Sequence, residues 1–163
     1  MFPIKSFFIN ALTINDLNPD NFHPITIDNK NDRLTFSGIL TSNLQNIYIG
    51  DKELIFGKDN KLFVQLNLIQ NVSTSNDEYK YKSYPLDKKE ALISEMPQFS
   101  EPVKFTVELN PFRDNIIYSF DLSKPLVNYY FNIECSIEIN NNLTTDNFFS
   151  FDFLVKIKLE DGK

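Results

Sequence analysis

From Phe149 to Leu159 the chain places a large apolar residue at every second position: Phe149, Phe151, Phe153, Val155, Ile157 and Leu159. Mostly polar residues stand between them: Ser150, Asp152, Lys156 and Lys158. A helix would scatter such a set around its circumference, whereas a strand gathers it on one face, because successive side chains of a strand alternate. The stretch "LVNYYFNIECSIEIN" repeats the pattern. Val127, Tyr129, Phe131, Ile133, Cys135, Ile137 and Ile139 fall on one side, with Asn128, Tyr130, Asn132, Glu134, Ser136 and Glu138 opposite. The two stretches, joined through "NNNLTTDN", are expected to form an antiparallel hairpin. Both apolar sets carry odd numbers, so paired residue numbers should sum to an even value; a slip of one residue would turn every buried aromatic outward.

Period-2 patterning recurs upstream in "KSFFINALTI" (5–14), "RLTFSGIL" (33–40), "KLFVQLNLIQNV" (61–72), "PVKFTVELN" (102–110) and "IIYSFDL" (116–122). The polar turn "DNKND" should join "ITI" (25–27) to 33–40 as a hairpin, and Asp51-Lys52 should join "NIYIG" to "ELIFG". One segment departs from the pattern. "YPLDKKEALISEMP" (84–97) sets Leu86, Leu92, Ile93 and Met96 at nearly helical spacing between two prolines, which predicts a short helix over 86–96 lying on a sheet edge. The expectation is a single all-β domain over residues 1–163, an antiparallel β-sandwich (jelly-roll or Ig-like) or a barrel, with that one helix.

Composition agrees and excludes several chemistries. Sixteen Phe and seven Tyr with only four Gly favour pleated, half-buried surfaces, while the abundant Asn and Asp can serve the turns that glycine would otherwise make. The net charge of −6 and the absence of a long basic tract argue against nucleic acid as a partner. Lone Cys135 and lone His23 leave too few ligands for a Cys/His zinc site, and no disulfide can form within the chain. No run of about 20 apolar residues is present, so membrane insertion as a helix is not expected. Asn10 interrupts the apolar start and no small-residue cleavage site follows, so "MFPIKSFFINALTI" reads as a first strand rather than a signal peptide. The expected location is therefore cytoplasmic or particle-associated.

Candidate sites each have a plain structural reading beside the chemical one. Cys135 falls in the apolar set of its strand and reads as a core thiol. His23 lacks a nucleophile elbow to serve. Asp28 and Asp32, in a turn rich in Asn and Asp, are the candidate oxygen ligands for a hard cation such as calcium; the same residues also make turns by bonding their own backbone. Glu134, Glu138 and Asp152 could form a carboxylate pair of the glycosidase kind, or a solvated face balanced across strands by Lys156 and Lys158. "NDEYKYKSYPLDKKE" interleaves Tyr79, Tyr81 and Tyr84 with lysines, a pattern that can hold a small ligand or a sugar by stacking. On the second long strand pair Tyr130, Phe148 and Leu154 occupy the even-numbered, less buried side, and aromatics there suit a protein interface.

These residues point to a non-catalytic structural or adaptor module that works through protein–protein contacts. It would bind a protein partner or a second copy of itself, and would suit a virion, a phage tail or a secretion apparatus. No catalytic residue, metal or cofactor is assigned. The alternative is a carbohydrate- or small-ligand-binding sandwich using the Tyr79–Tyr84 segment.

Overall fold

The structure is a computed structural model, which describes residues 7–19, 23–42, 47–49, 52–54, 61–73, 79–92, 102–119, 129–139, 142–143 and 148–157. In chain order the strands are β1 (Phe7–Ile14), β2 (Ile25–Ile27), β3 (Leu34–Ser42), β4 (Ile47–Ile49), β5 (Lys52–Leu54), β6 (Lys61–Ser73), β7 (Tyr79–Leu92) and β8 (Val103–Leu109). A 3-10 segment (Arg113–Ser119) follows, and then β9 (Tyr129–Ile139), β10 (Asn142–Leu143), β11 (Phe149–Phe153) and β12 (Val155–Ile157). A small antiparallel sheet has the order β1-β3-β8. A larger one runs β10-β9-β6-β7, with β11 also on β9. Among the described residues these orders end at open edges and no barrel closes. The protein is all-β.

Alternation builds the core as its spacing demands. Leu62, Val64, Leu66 and Leu68 of β6 and Phe131, Ile133, Cys135 and Ile137 of β9 are buried, and they join Phe36, Leu40, Phe105, Val107 and Leu109 of the small sheet in one cluster. The Phe36 and Phe149 rings, from opposite sheets, lie 6.5 Å apart. Each large apolar side chain sealed there is stabilising by roughly 1.5–3 kcal/mol. The expected register of the last long pair holds: Cys135 opposes Phe149, Ile133 opposes Phe151 and Phe131 opposes Phe153.

Four expectations need correction. Residues 86–92 are not helical but the second half of β7; residues 93–96 lie outside the described residues. The cause is a bulge. Asp87 opposes Leu66 while Pro85 opposes Asn67, so Leu86 is the extra residue, and Leu86 and Asp87 are both buried. Before the bulge even-numbered residues share the face of the core, and after it odd-numbered ones do, so no single alternation survives across the segment. Pro85 is tolerated because β7 is an edge strand.

Residues 116–119, expected as part of a strand, belong to the 3-10 segment, where Asp114 and Asn115 adopt φ of 57° and 56°; residues 120–122 lie outside the described residues. Left-handed geometry at two successive residues turns the chain out of the extended path. Segment 25–27 does not pair with 33–40. It runs parallel to β12, with Val155 opposite Ile25 and Ile157 opposite Ile27. The closing strand is consequently two strands, with Leu154 at the crossing, where its carbonyl accepts a hydrogen bond from the Ile25 amide (2.8 Å). Lys156 then opposes Thr26 rather than any carboxylate of β9. β4 and β5 pair antiparallel as expected, although Lys52, read as a turn residue, lies in the strand opposite Ile49.

β1 carries its own irregularity. Pairing with β3 shifts between Asn10 and Thr13, and Ala11 takes φ 51° there. Ile9 keeps its place opposite Leu40, and its side chain reaches over Gly38 in the middle of β3. A Cβ on Gly38 would stand 2.9 Å from Ile9 Cγ2 and 3.1 Å from Phe105 Cζ. Gly38→Ala should lower the unfolding free energy by about 1–2 kcal/mol, overpacking outweighing the entropy removed from the unfolded chain. Urea titration checks this. Combining it with Ile9→Ala, which vacates the Cγ2 position, should give a double-variant loss smaller than the sum of the two single losses.

Candidate functional site

The outer face of the large sheet faces away from the core and carries several of the residues singled out in the sequence, Tyr81, Tyr130, Glu134, Glu138 and Asp152 among them. Across it, Ile69 opposes Tyr130, Asn67 opposes Asn132 and Gln65 opposes Glu134 on β9. Asp152 and Ser150 of β11 oppose Asn132 and Glu134. On the β7 side Tyr81 opposes Asn71, Ser83 opposes Ile69 and Lys88 opposes Gln65.

A line of hydrogen bonds crosses three of these strands. Gln65 Nε2 donates to Asn67 Oδ1 (2.7 Å), and Asn67 Nδ2 to Asn132 Oδ1 (3.1 Å). Asn132 Nδ2 donates to Ser150 Oγ (2.8 Å) and Asp152 Oδ1 (2.7 Å). Asn67 and Asn132 are 1% and 4% exposed, so this pairing satisfies amides that would otherwise be costly to bury. Both asparagines sit at outward-facing positions of their strands; their meeting follows from a strand pairing that local pattern does not encode.

Tyr81 is 69% exposed, the most open large apolar side chain among the described residues. Tyr130 is half-buried. Burial first, then the Asp152 carboxylate and the Tyr81 phenol, hold the Tyr130 phenol above its ordinary value of 10.0. Tyr84 takes the opposite face. It opposes Leu68, and its hydroxyl donates to Gln70 Oε1 (3.2 Å), while Gln70 Nε2 donates to Tyr129 Oη (3.3 Å). The backbone of Tyr79 opposes Ser73. Phe148, expected on the even side, packs against the core with its ring 5.7 Å from Phe7. A ladder irregularity explains it, since Cys135 opposes Phe149 yet its carbonyl accepts the Phe148 amide (3.0 Å). Leu154 is half-buried at the crossing between β11 and β12. Phe63, also on the outer face, lies under the Lys88 ammonium, 4.9 Å from the ring centroid.

The Asp28–Asp32 turn is organised by its own backbone. Asp32 Oδ2 accepts the amides of Asp28 and Asn29 (both 3.1 Å), and Asn29 Oδ1 accepts that of Asn31 (2.9 Å). Among the described residues no three His, Cys, Asp or Glu side chains converge as a metal-binding group. Cys135 is buried, and burial, followed by the charge of Glu134, pushes its thiol well above the ordinary 9.0. His23 is exposed.

A second surface, which sequence reading missed, lies at the end of the small sheet. Ile14 and Leu17 exchange backbone hydrogen bonds (2.9 and 3.0 Å) around Asn15 and Asp16, both at positive φ. Asn15 ties this turn to β3, its amide donating to Thr35 O (2.9 Å) and its Oδ1 accepting the Thr35 amide (2.8 Å). Leu17 is thereby held outward, 58% exposed. Leu34 opposes Leu109, so the start of β3 and the 3-10 segment after β8 share this end. There Tyr118 stacks on Phe112 at 5.8 Å and remains 49% exposed. Asp87 anchors the segment. Its fully buried carboxylate accepts the Asn110 amide (2.7 Å), the Lys88 amide (2.9 Å) and Arg113 Nη1 (2.8 Å). The hydrogen bond and charge of Asp87 raise the already high Arg113 value further. A single leucine inside "NDLNPD" carries no periodic signal, which is why only the folded turn reveals it.

No family model matches the chain, and no curated protein matches it. Among solved structures it is similar to Spo0M, sporulation control protein, from Bacillus subtilis, at 9% sequence identity and a TM-score of 0.45. That likeness covers 95% of this chain and 50% of Spo0M, so the chain spans about half the length of that structure.

Three variants test the buried groups. Asp87→Ala strands the Asn110 amide and uncouples Arg113, and should cost roughly 3 kcal/mol in urea unfolding; Asp87→Asn, which keeps an acceptor oxygen, should cost less. For Cys135 the folded chain holds the proton that the unfolded chain releases above pH 9 or so. The stabilisation is therefore complete below that pH and is lost progressively as pH climbs from there towards the higher folded value. Between pH 7 and pH 10 the wild type should lose about 1.4 kcal/mol more unfolding free energy than Cys135→Ala does.

Proposed function

We propose that this chain is a non-catalytic structural or adaptor module that binds a protein partner through the end of the small sheet formed by residues 14–17, 28–33 and 110–119. The observation that carries this reading is Leu17, an aliphatic side chain presented to solvent by a turn that Asn15 ties twice to β3, once by its amide and once by its side chain. An exposed leucine alone is ordinary. One held outward by a stiff turn, near a stacked and exposed Tyr118, resembles a prepared contact. Two strand spacings, about 10 Å, separate β1 from β8 across β3, so both side chains fall within the reach of one standard interface.

The arginines support the same end. The chain has only two, Arg33 and Arg113, and the pairing of Leu34 with Leu109 brings both to it. Arg33 is exposed, with Nη1 donating to Asp32 O (3.2 Å) and Lys30 O (3.5 Å). Arginine and tyrosine are enriched at protein interfaces, whereas lysine is depleted there. A virion, a phage tail or a secretion apparatus are settings in which such a module would serve. Rigid turns on a sandwich are the usual bearers of recognition, because the scaffold holds the backbone while side chains vary.

The experiment is co-purification of native complexes followed by affinity measurement with Leu17→Asp and Tyr118→Glu. Leu17→Asp should weaken capture of the recovered partner about tenfold or more while leaving the unfolding free energy within about 0.5 kcal/mol. A protein that stays monomeric and recovers no partner, or one whose capture is indifferent to both variants, overturns the reading.

A further inference from the structure

We infer that the outer face of the large sheet carries a binding strip for a neutral saccharide, with Tyr81 and Tyr130 as the stacking rings and Asp152 and Gln65 as the hydrogen-bonding groups. This surface lies on a different sheet from the turn end described above and does not depend on it.

Saccharide recognition needs two things together: a flat aromatic surface for the C–H face of the sugar ring, and rigid polar groups for its hydroxyls. Both occur here side by side. Tyr130 and Asn132 project from the same face of β9 two residues apart, about 7 Å, and Asp152 sits beside Asn132 on β11. Tyr81 stands at the end of the same face, opposite Asn71. The shared influence of Asp152 and Tyr81 on the Tyr130 phenol places the three groups in one neighbourhood.

The buried amides make the polar part rigid rather than available. Asn132 spends its Nδ2 hydrogens on Ser150 Oγ and Asp152 Oδ1. Asp152 Oδ2 thus keeps its acceptor capacity among the described residues, and a carboxylate oxygen fixed by its twin makes a strong acceptor for a hydroxyl. Gln65 gives one Nε2 hydrogen to Asn67 Oδ1 and, among the described residues, keeps its Oε1 and second hydrogen. Asn67 and Asn132 act as positioning residues beneath the strip. The sign of charge selects the ligand: Asp152 and Glu134 on this face, in a chain of net charge −6, disfavour an anionic glycan.

Isothermal titration of the full chain with cellohexaose, maltohexaose, xylohexaose and chitohexaose, and with hexagalacturonate as the anionic probe, tests the inference. One neutral hexasaccharide should bind saturably, and hexagalacturonate should not. Tyr81→Ala, at an exposed position that folding does not need, and Asp152→Asn, which keeps an oxygen for Asn132, should each weaken binding about tenfold or more. Leu17→Asp should leave it unchanged. The inference is overturned if no neutral hexasaccharide binds, if hexagalacturonate binds more tightly than the neutral probes, or if Tyr81→Ala and Asp152→Asn bind as the wild type does.

Discussion

The fold depends on the inner face of β6 having an apolar partner on β9 at every rung from Leu62 to Leu68. Val64 meets Cys135, Leu66 meets Ile133 and Leu68 meets Phe131, and Phe131 in turn meets Phe153 with its ring edge-on at 5.9 Å. Because strand side chains repeat every two residues, this row is all or nothing: sliding β9 by one position would bury Asn132, Glu134 and Ser136 against leucines and expose four apolar side chains. The small sheet closes over the row and completes the burial. Everything on the outer faces is placed as a consequence, since a residue that opposes an inward neighbour's neighbour has only one direction left.

That dependence explains what could be read from sequence. β6 from Leu62 to Leu68, β8 and β9 were legible because their inward positions there are filled by apolar residues without interruption, so parity is written directly in the chain. β7 was not. Its positions on the side of the core include Lys82, Lys89 and the buried Asp87, and Leu86 is inserted where parity changes, so the apolar residues that remain fall by chance at helical spacing. The pairing of β2 with β12 was equally hidden. Three-residue strands carry almost no register information, and the competing turn at 28–32 is closed by the Asp32 carboxylate rather than by a ladder. Of the outward residues, Tyr81 and Tyr130 could be seen to share a face only once the register placed them there, and Tyr84 left that face by parity. Phe148 was misplaced for a local reason, the irregularity that lets Cys135 O receive its amide while Cys135 opposes Phe149.

The edges of the sandwich bear on how the molecule can meet others. β7 is a long edge strand, and long flat edges invite pairing with another chain. Here the edge carries Pro85, the bulge at Leu86 and exposed Lys82, Lys88 and Lys89, each of which opposes strand addition. Across the small sheet, the Ala11 irregularity interrupts β1 in the same manner. Association through side chains, on a face or at an end, is therefore favoured over edge-to-edge extension of a sheet.

Asp87 joins the stability of the sandwich to its candidate contact end. Its carboxylate is buried only because the bulge turns it inward, and once buried it needs the Asn110 amide and the Arg113 guanidinium. Those two partners lie on the segment that leads to Phe112 and Tyr118, so the charge pair that closes one edge also fixes where Tyr118 is shown. Arg113 stays half-exposed while Asp87 is sealed, and the pair is thus hydrated on one side only, which lowers the cost of keeping an ion pair at the border of a core. A change at Asp87 would accordingly be felt twice, as lost stability and as a displaced contact residue, although Asp87 itself never reaches the surface. The same logic separates Leu17, whose turn is held by backbone and by Asn15: its side chain can be altered without disturbing the core, so Leu17 and Tyr118 report on the end of the sheet through independent supports.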